Sequence, residues 1–366
     1  MPLNTKKLAD AIVSKSLAVA PLQRVFIDVV GEADSLIDEL ITSIYSSGGI
    51  PFLHTVMTKH LKRLLQGSHP QQIKLMAKQR IYQMKTMNAY IGIRSTPNLY
   101  EMNDVDEERY KLYINEYLQP IQATMASLDH WILLQWPTEG AAQLAGMSLE
   151  SFKSFYFQAS SLDYEQLREK AEPLQHLLDH TDKVRITSPG TDLTFSINNI
   201  PSFLCMGKYN LPDGEIFTAP VLHSTEGYIQ FNIPGYYMGK LFHNVSLEFR
   251  KGRVVNASSD NMTMLNSILN TDNGACYLGE FGIGLNPAII KPTNSLIFDE
   301  KMNGSIHLAL GQAYPMADNG NNSSIHWDLV LMQSKNYGGG ALYFDGILIR
   351  EDGLFILPEL KHLNEE

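Results

Sequence analysis

The chain has 366 residues, 44% hydrophobic and 19% charged, with a formal net charge of −10 and a pI near 5.6. That acidity, without a Lys/Arg stripe, argues against a nucleic-acid partner, and no apolar run approaches the roughly 20 residues of a membrane span. The only cysteines, Cys205 and Cys276, are too few for a disulfide framework or a thiolate zinc site, so any metal must be held by His, Asp and Glu.

The opening segment, MPLNTKKLADAIVSKSL, is polar and helix-patterned and lacks the apolar run of a secretory signal, which implies a cytoplasmic protein. The Asn-x-Ser/Thr sequons at Asn244, Asn256, Asn261, Asn303, Asn321 and Asn322 then carry no meaning. The run VFIDVV (Val25–Val30), the helical pattern ADSLIDELITSIYSSGG and the run PFLHTVM (Pro51–Met57) form a β-α-β unit. Strands follow at AYIGIRS (Ala89–Ser95) and HWILLQWP (His130–Pro137), separated by helical stretches such as Asp106–Met125. A mainly parallel sheet with covering helices is the economical reading. The turn after the first strand reads VGEADS, with no Gly-x-Gly-x-x-Gly, so a dinucleotide fingerprint is absent.

Amphipathic helices at Met147–Ala159 and Leu162–His180 lead to a change of texture near residue 185. Beyond it come short alternating runs broken by Gly, Asn, Asp and Pro, with hairpins at Val245–Val255 and around Glu351-Asp352-Gly353. The fold class expected is an α/β N-terminal domain over residues 1–185 and a β-rich α+β metal-binding domain over residues 186–366.

Chemistry-bearing residues of the β-rich half recur beside Gly, Pro or Asn: Glu215 in LPDGEIFTAP, Glu280 in YLGEFGIGLNP, His307 in GSIHLALGQAYP, and His326 with Asp328 in NSSIHWDLV. A strand period of two puts His326 and Asp328 on one face, with Ile325, Trp327 and Leu329 on the other. Neutral imidazoles and carboxylates suit a divalent cation, and a two-metal site needs a carboxylate able to bridge. Taken singly, each residue reads more readily as structure than as catalysis: a turn carboxylate, a helix or strand end, a satisfied strand histidine. The glycine runs GEFGIG and YGGGALYFDG lack a P-loop Lys-Ser/Thr ending and read as turns or close backbone approaches. His54, His60 and His69 show no coherent spacing and read as surface or core residues.

In order, GTDLTFSI (Gly190–Ile197), DGEIFTAP (Asp213–Pro220), GEFGIG, DEKMNGSIHLALGQAYP (Asp299–Pro315), NSSIHWDLV and DGILIREDGLF (Asp345–Phe355) resemble the thermophilic aminopeptidase family of metallopeptidases, the aminopeptidases T, S and II. WPTEGAAQLAGMSLESF (Trp136–Phe152) and the first β-α-β unit extend the resemblance over nearly the whole chain. It implies hydrolysis of the N-terminal residue of peptides by water activated between two divalent ions (zinc, cobalt or magnesium). Glu215, Glu280 and His307 would hold one ion, and Glu280, His326 and Asp328 the other, with Glu280 bridging. Tyr314 matches the family's active-site tyrosine, a hydrogen-bond donor to the developing oxyanion. The resemblance further implies a peptide partner with a free N-terminus and a homodimer. The chain is shorter than the better-known members between Tyr314 and His326, where eleven residues intervene, so the cavity wall is expected to differ.

Two other readings compete. Ring-cleaving dihydroxypyridine dioxygenases resemble this peptidase fold and use one Fe(II), for which His307, His326 and Asp328 would form the two-His-one-carboxylate triad. A fold relative that only binds is the other. Retention of Glu215 and Glu280 favours the two-metal peptidase.

Overall fold

The computed structural model describes residues 2–237 and 239–365. The chain divides into two compact units, Met1–Ser161 with Gly207–Pro212, and Leu162–Met206 with Asp213–Glu366.

The first unit is the anticipated α/β layer. Strands β1 (Arg24–Gly31), β2 (Ile50–Val56), β3 (Ala89–Ser95) and β4 (His130–Gln135) run parallel in the order β2-β1-β3-β4. The centre of β1 is apolar on both faces, as a covered parallel sheet requires, with Val25, Phe26, Ile27 and Val29 buried. The helix Asp34–Ser46 turns Leu36, Ile37, Leu40 and Ile44 inward at helical spacing. Gly48, at φ +75°, follows that helix, in a conformation glycine adopts at little cost. One acid breaks the apolar pattern. Asp28 is buried, its carboxylate accepting a hydrogen bond from Tyr90 Oη at 2.7 Å and lying 2.8 Å from His54 Nδ1 and 3.7 Å from Arg80. A fifth strand, Asn210–Leu211, pairs with β4 through residues that return from far along the sequence.

The second unit opens ahead of the change in texture near residue 185. The helix Tyr164–Asp179 turns Leu167, Ala171, Leu174 and Leu178 into the same apolar cluster as the sheets that follow it. Those sheets are antiparallel: one of eight strands, one of five, and a two-stranded ribbon. Val184, Ile186, Leu193 and Phe195 of the larger sheet meet Phe281, Leu308, Trp327 and Leu329 of the smaller in one core, so the strand count resolves to two sheets sharing an interior. The hairpin Ser246–Arg250 and Arg253–Ser258 forms as its Lys251-Gly252 turn predicts. A helix at Met262–Leu269, which the alternating texture did not suggest, packs Leu265, Ile268 and Leu269 on this core. Among the described residues no helix is long and apolar enough to cross a membrane.

Candidate metal centre

The five-stranded sheet sets the site. Four of its strands, Glu215–Thr218, Leu278–Gly284, Ser305–Gly311 and the edge strand His326–Met332, are successive antiparallel neighbours. Ile306, Leu308 and Leu310 point into the core, so His307 and Ala309 point to the opposite face. The same alternation sends Trp327, Leu329 and Leu331 inward and His326 and Asp328 outward. Trp327 is fully buried, stacked on Tyr237 at 5.3 Å and tilted against Phe242 at 4.9 Å by ring centroids.

Glu280 reaches the same face by a different device. Leu278 lies in the core and Glu280, two residues on, does not, which a regular strand forbids. A β-bulge between Leu278 and Glu280 inserts Gly279 and reverses the phase. Gly279 has to be glycine there, because a Cβ would stand 2.3 Å from the Gly311 carbonyl oxygen. Across the strands Glu280, Ala309 and Asp328 then fall in one row, the small alanine between the two acids. Gly282 lies opposite His307, and its missing side chain makes room for the imidazole.

The result is a compact buried cluster. His307 Nε2 is 3.3 Å from Glu280 Oε1 and 3.5 Å from Glu215 Oε2. His326 Nε2 is 3.3 Å from Glu280 Oε2 and 3.4 Å from Asp328 Oδ2. Glu280, His307 and Asp328 offer donor atoms within 4.8 Å of one another. Both imidazoles turn Nδ1 to a backbone carbonyl, His307 to Glu300 at 3.1 Å and His326 to Gln312 at 2.8 Å. This leaves each Nε2 aimed into the cluster, the usual posture of a metal-ligating histidine. Glu215 Oε2 is buried with no hydrogen-bond partner, a carboxylate oxygen that a cation would satisfy. The donor set therefore fits a metal centre.

Tyr314 follows the His307 strand and packs its ring 4.9 Å from that of His326 and 5.6 Å from Phe217. Although the residue is 45% exposed, its phenol is tied electrically to the cluster. His326 draws its pKa down, but burial and the carboxylates of Glu280, Asp328 and Glu300 outweigh that and hold it well above the ordinary value.

Burial and charge oppose each other throughout the site. Burial raises Glu280 and Asp328, but the imidazoles beside them win, holding Glu280 below its ordinary value and Asp328 at about 2. Burial would lower both histidines, yet the carboxylates push His307 up to about 9 and hold His326 well above its ordinary value. For Glu215 burial dominates and raises it to about 8, against the lowering effect of Lys301.

Glu215, Glu280, His307, Tyr314, His326 and Asp328 thus lie on this face or at its edge. Sequence reading missed Lys301, which is fully buried and donates from Nζ to Glu215 Oε1 at 3.2 Å and to Glu300. It also missed Asp213, fully buried beside Glu215, with which it forms a second ligand-like group together with Cys205. In the string DEKMNGSIH an adjacent Glu and Lys look like a solvated pair, and only the fold reveals otherwise.

Residues 3–347 match the family described as thermophilic metalloprotease. Aminopeptidase 2 of Geobacillus stearothermophilus is 23% identical over 93% of each chain. Aminopeptidase AmpS of Bacillus subtilis is 30% identical over 39% of this chain and 38% of its own length. Among solved structures, wild-type AmpT from Thermus thermophilus superposes with a TM-score of 0.84 at 19% identity, covering 97% of this chain and 99% of that one. The 2,5-dihydroxypyridine dioxygenase of Pseudomonas putida gives 0.63 at 11% identity, covering 98% and 99%. Both likenesses concern the fold.

Proposed function

The chain belongs to the thermophilic metalloprotease family, and we propose that it is an aminopeptidase that removes the N-terminal residue of peptides by water activated between two divalent ions. The observation that carries this reading is the Glu280 carboxylate, which turns one oxygen to His307 and the other to His326. Glu215 and His307 with Glu280 would hold one ion, and His326 and Asp328 with Glu280 the other; zinc, cobalt or magnesium suits such donors. When bound, such ions supply a water acidic enough to ionise near neutral pH and polarise the scissile carbonyl.

The chain's own groups do the rest. The Glu300 and Gln312 carbonyls fix each imidazole so that Nε2 faces the cluster. The buried strands keep bulk water from the carboxylates, which strengthens every charge interaction there. Tyr314, kept as a neutral phenol, would donate a hydrogen bond to the carbonyl oxygen as charge develops on it. Confinement to peptides with a free N-terminus is supported by the relatives, AmpS and Aminopeptidase 2. A homodimer is the assembly that the family resemblance supports.

His307, His326 and Asp328 alone would serve the mononuclear iron of a dioxygenase, but Glu215 and Glu280 in the same cluster favour the hydrolase. The test is metal analysis of the purified protein with hydrolysis of a panel of aminoacyl amides, and Glu280→Gln as control. Hydrolysis that depends on added divalent metal and disappears in Glu280→Gln is expected. One iron per chain with no hydrolysis under any metal would replace this reading with the dioxygenase one.

A further inference from the structure

Glu215 differs from the other acids of the cluster in having a fixed cation already upon it. Lys301 Nζ is 3.2 Å from Glu215 Oε1, and the side chain is wholly buried, its other contact being Glu300. A buried ammonium held between carboxylates cannot swing out to solvent at little cost, because it would leave buried carboxylates without a counter-charge. The remaining Glu215 oxygen lies 3.5 Å from His307 and has no hydrogen-bond partner. At the other end of the cluster the partners of Glu280 and Asp328 are His326 and His307, and no ammonium or guanidinium contacts either acid among the described residues.

We propose that Lys301 makes the two cation positions unequal: the one drawn on Glu280, His326 and Asp328 fills first and tightly, and the one on Glu215 and His307 is weak and exchangeable. The inference rests on the metal-centre reading above. Its physical basis is competition for one carboxylate. A unit charge about 5 Å from a divalent ion weakens binding roughly tenfold even at the dielectric of water, and more in a buried site. Lys301 thereby serves as a resident counter-charge that keeps Glu215 and Glu300 neutralised while the weak position is empty.

The test is a titration of chelator-stripped protein with Co(II), followed by calorimetry and by visible absorption, in the wild type, Lys301→Met and Lys301→Gln. The wild type is expected to take one equivalent tightly and a second at least tenfold more weakly. Either variant that retains the wild-type circular dichroism spectrum should bind the second equivalent at least tenfold more tightly, with the first step changed less. Uptake of two equivalents in a single step by the wild type would overturn the proposal, as would a second step unmoved in a folded variant. The wild-type titration can overturn the proposal even where both variants fail to fold. A wild type that binds no Co(II), or a Glu280→Gln protein that binds it as well as the wild type, would instead remove the metal-centre reading, and the proposal with it.

Discussion

Gly282 stands opposite His307 in the strand register, and a methyl group added to Gly282 would come within 2.1 Å of the imidazole Cε1 and Nε2. The ring that faces Glu280 occupies the space a side chain would fill. Gly282→Ala must therefore shift the imidazole or the strand, and the fold is expected to lose about 1–3 kcal/mol from overpacking. Metal affinity should fall roughly 10–100-fold, as when a ligand's support is removed, measured by chelator competition. Gly67→Ala is the control, since nothing lies within 4 Å of a Cβ there. Its melting temperature and affinity should match the wild type.

His326 and Trp327 are chain neighbours on opposite faces of one strand, so their replacements should separate site from scaffold. His326→Ala is expected to bind one metal fewer per chain by elemental analysis while keeping a cooperative melt. Trp327→Ala empties a fully buried position and should cost about 3–5 kcal/mol in denaturant unfolding. A Trp327→Ala protein that loses metal but not stability would contradict the orientation of this strand.

The cluster's protons give a pH dependence of definite sign. In the metal-free chain His307 holds its proton up to about pH 9 against an ordinary 6.5, so the stability it adds is complete below 6.5 and is lost as pH rises through 9. Glu215 is raised from 4.5 to about 8, so the folded chain favours its protonated form, and that contribution also fades as pH climbs through this range. The melting temperature of metal-free protein is therefore expected to fall between about pH 6 and 9. Because ligands must shed these protons to bind, metal affinity should rise over the same interval, and calorimetry in two buffers should register proton release.

Tyr314→Phe removes one hydroxyl at the edge of the cluster. The expected outcome is a fall in kcat of roughly 10²–10³-fold with metal content unchanged, read by steady-state kinetics and elemental analysis together. Loss of metal in this variant would make Tyr314 a support for His326 instead, through the ring contact at 4.9 Å.

Much of this architecture is legible in the residues. The strands β1 to β4 announce themselves as apolar runs, and the period of two in His326-Trp327-Asp328 assigns faces to each side chain as the structure has them. Other parts are beyond such rules. Leu278 and Glu280 share a phase in the sequence and part company in the fold, because the bulge at Gly279 depends on a neighbouring strand that local pattern cannot see. Lys301 is illegible for the same reason, since its partner Glu215 lies far away in the chain. His54 shows no local spacing logic, yet it sits directly across from Asp28 in the register of β1 and β2.

The return of residues 207–212 to the first unit's sheet bears on how such a protein can be cut or recombined. Tyr209 accepts a hydrogen bond from the Leu133 amide at 2.8 Å, and Asn210–Leu211 completes the edge of β4. A fragment ending at Ser161 would leave that edge bare and prone to pair with another chain. A fragment beginning at Leu162 would carry a strand whose partners it lacks. The two halves are thus interleaved rather than strung in series, so exchange between relatives at a single junction would divide a sheet, whereas a double exchange that moves residues 207–212 along with the first unit would not.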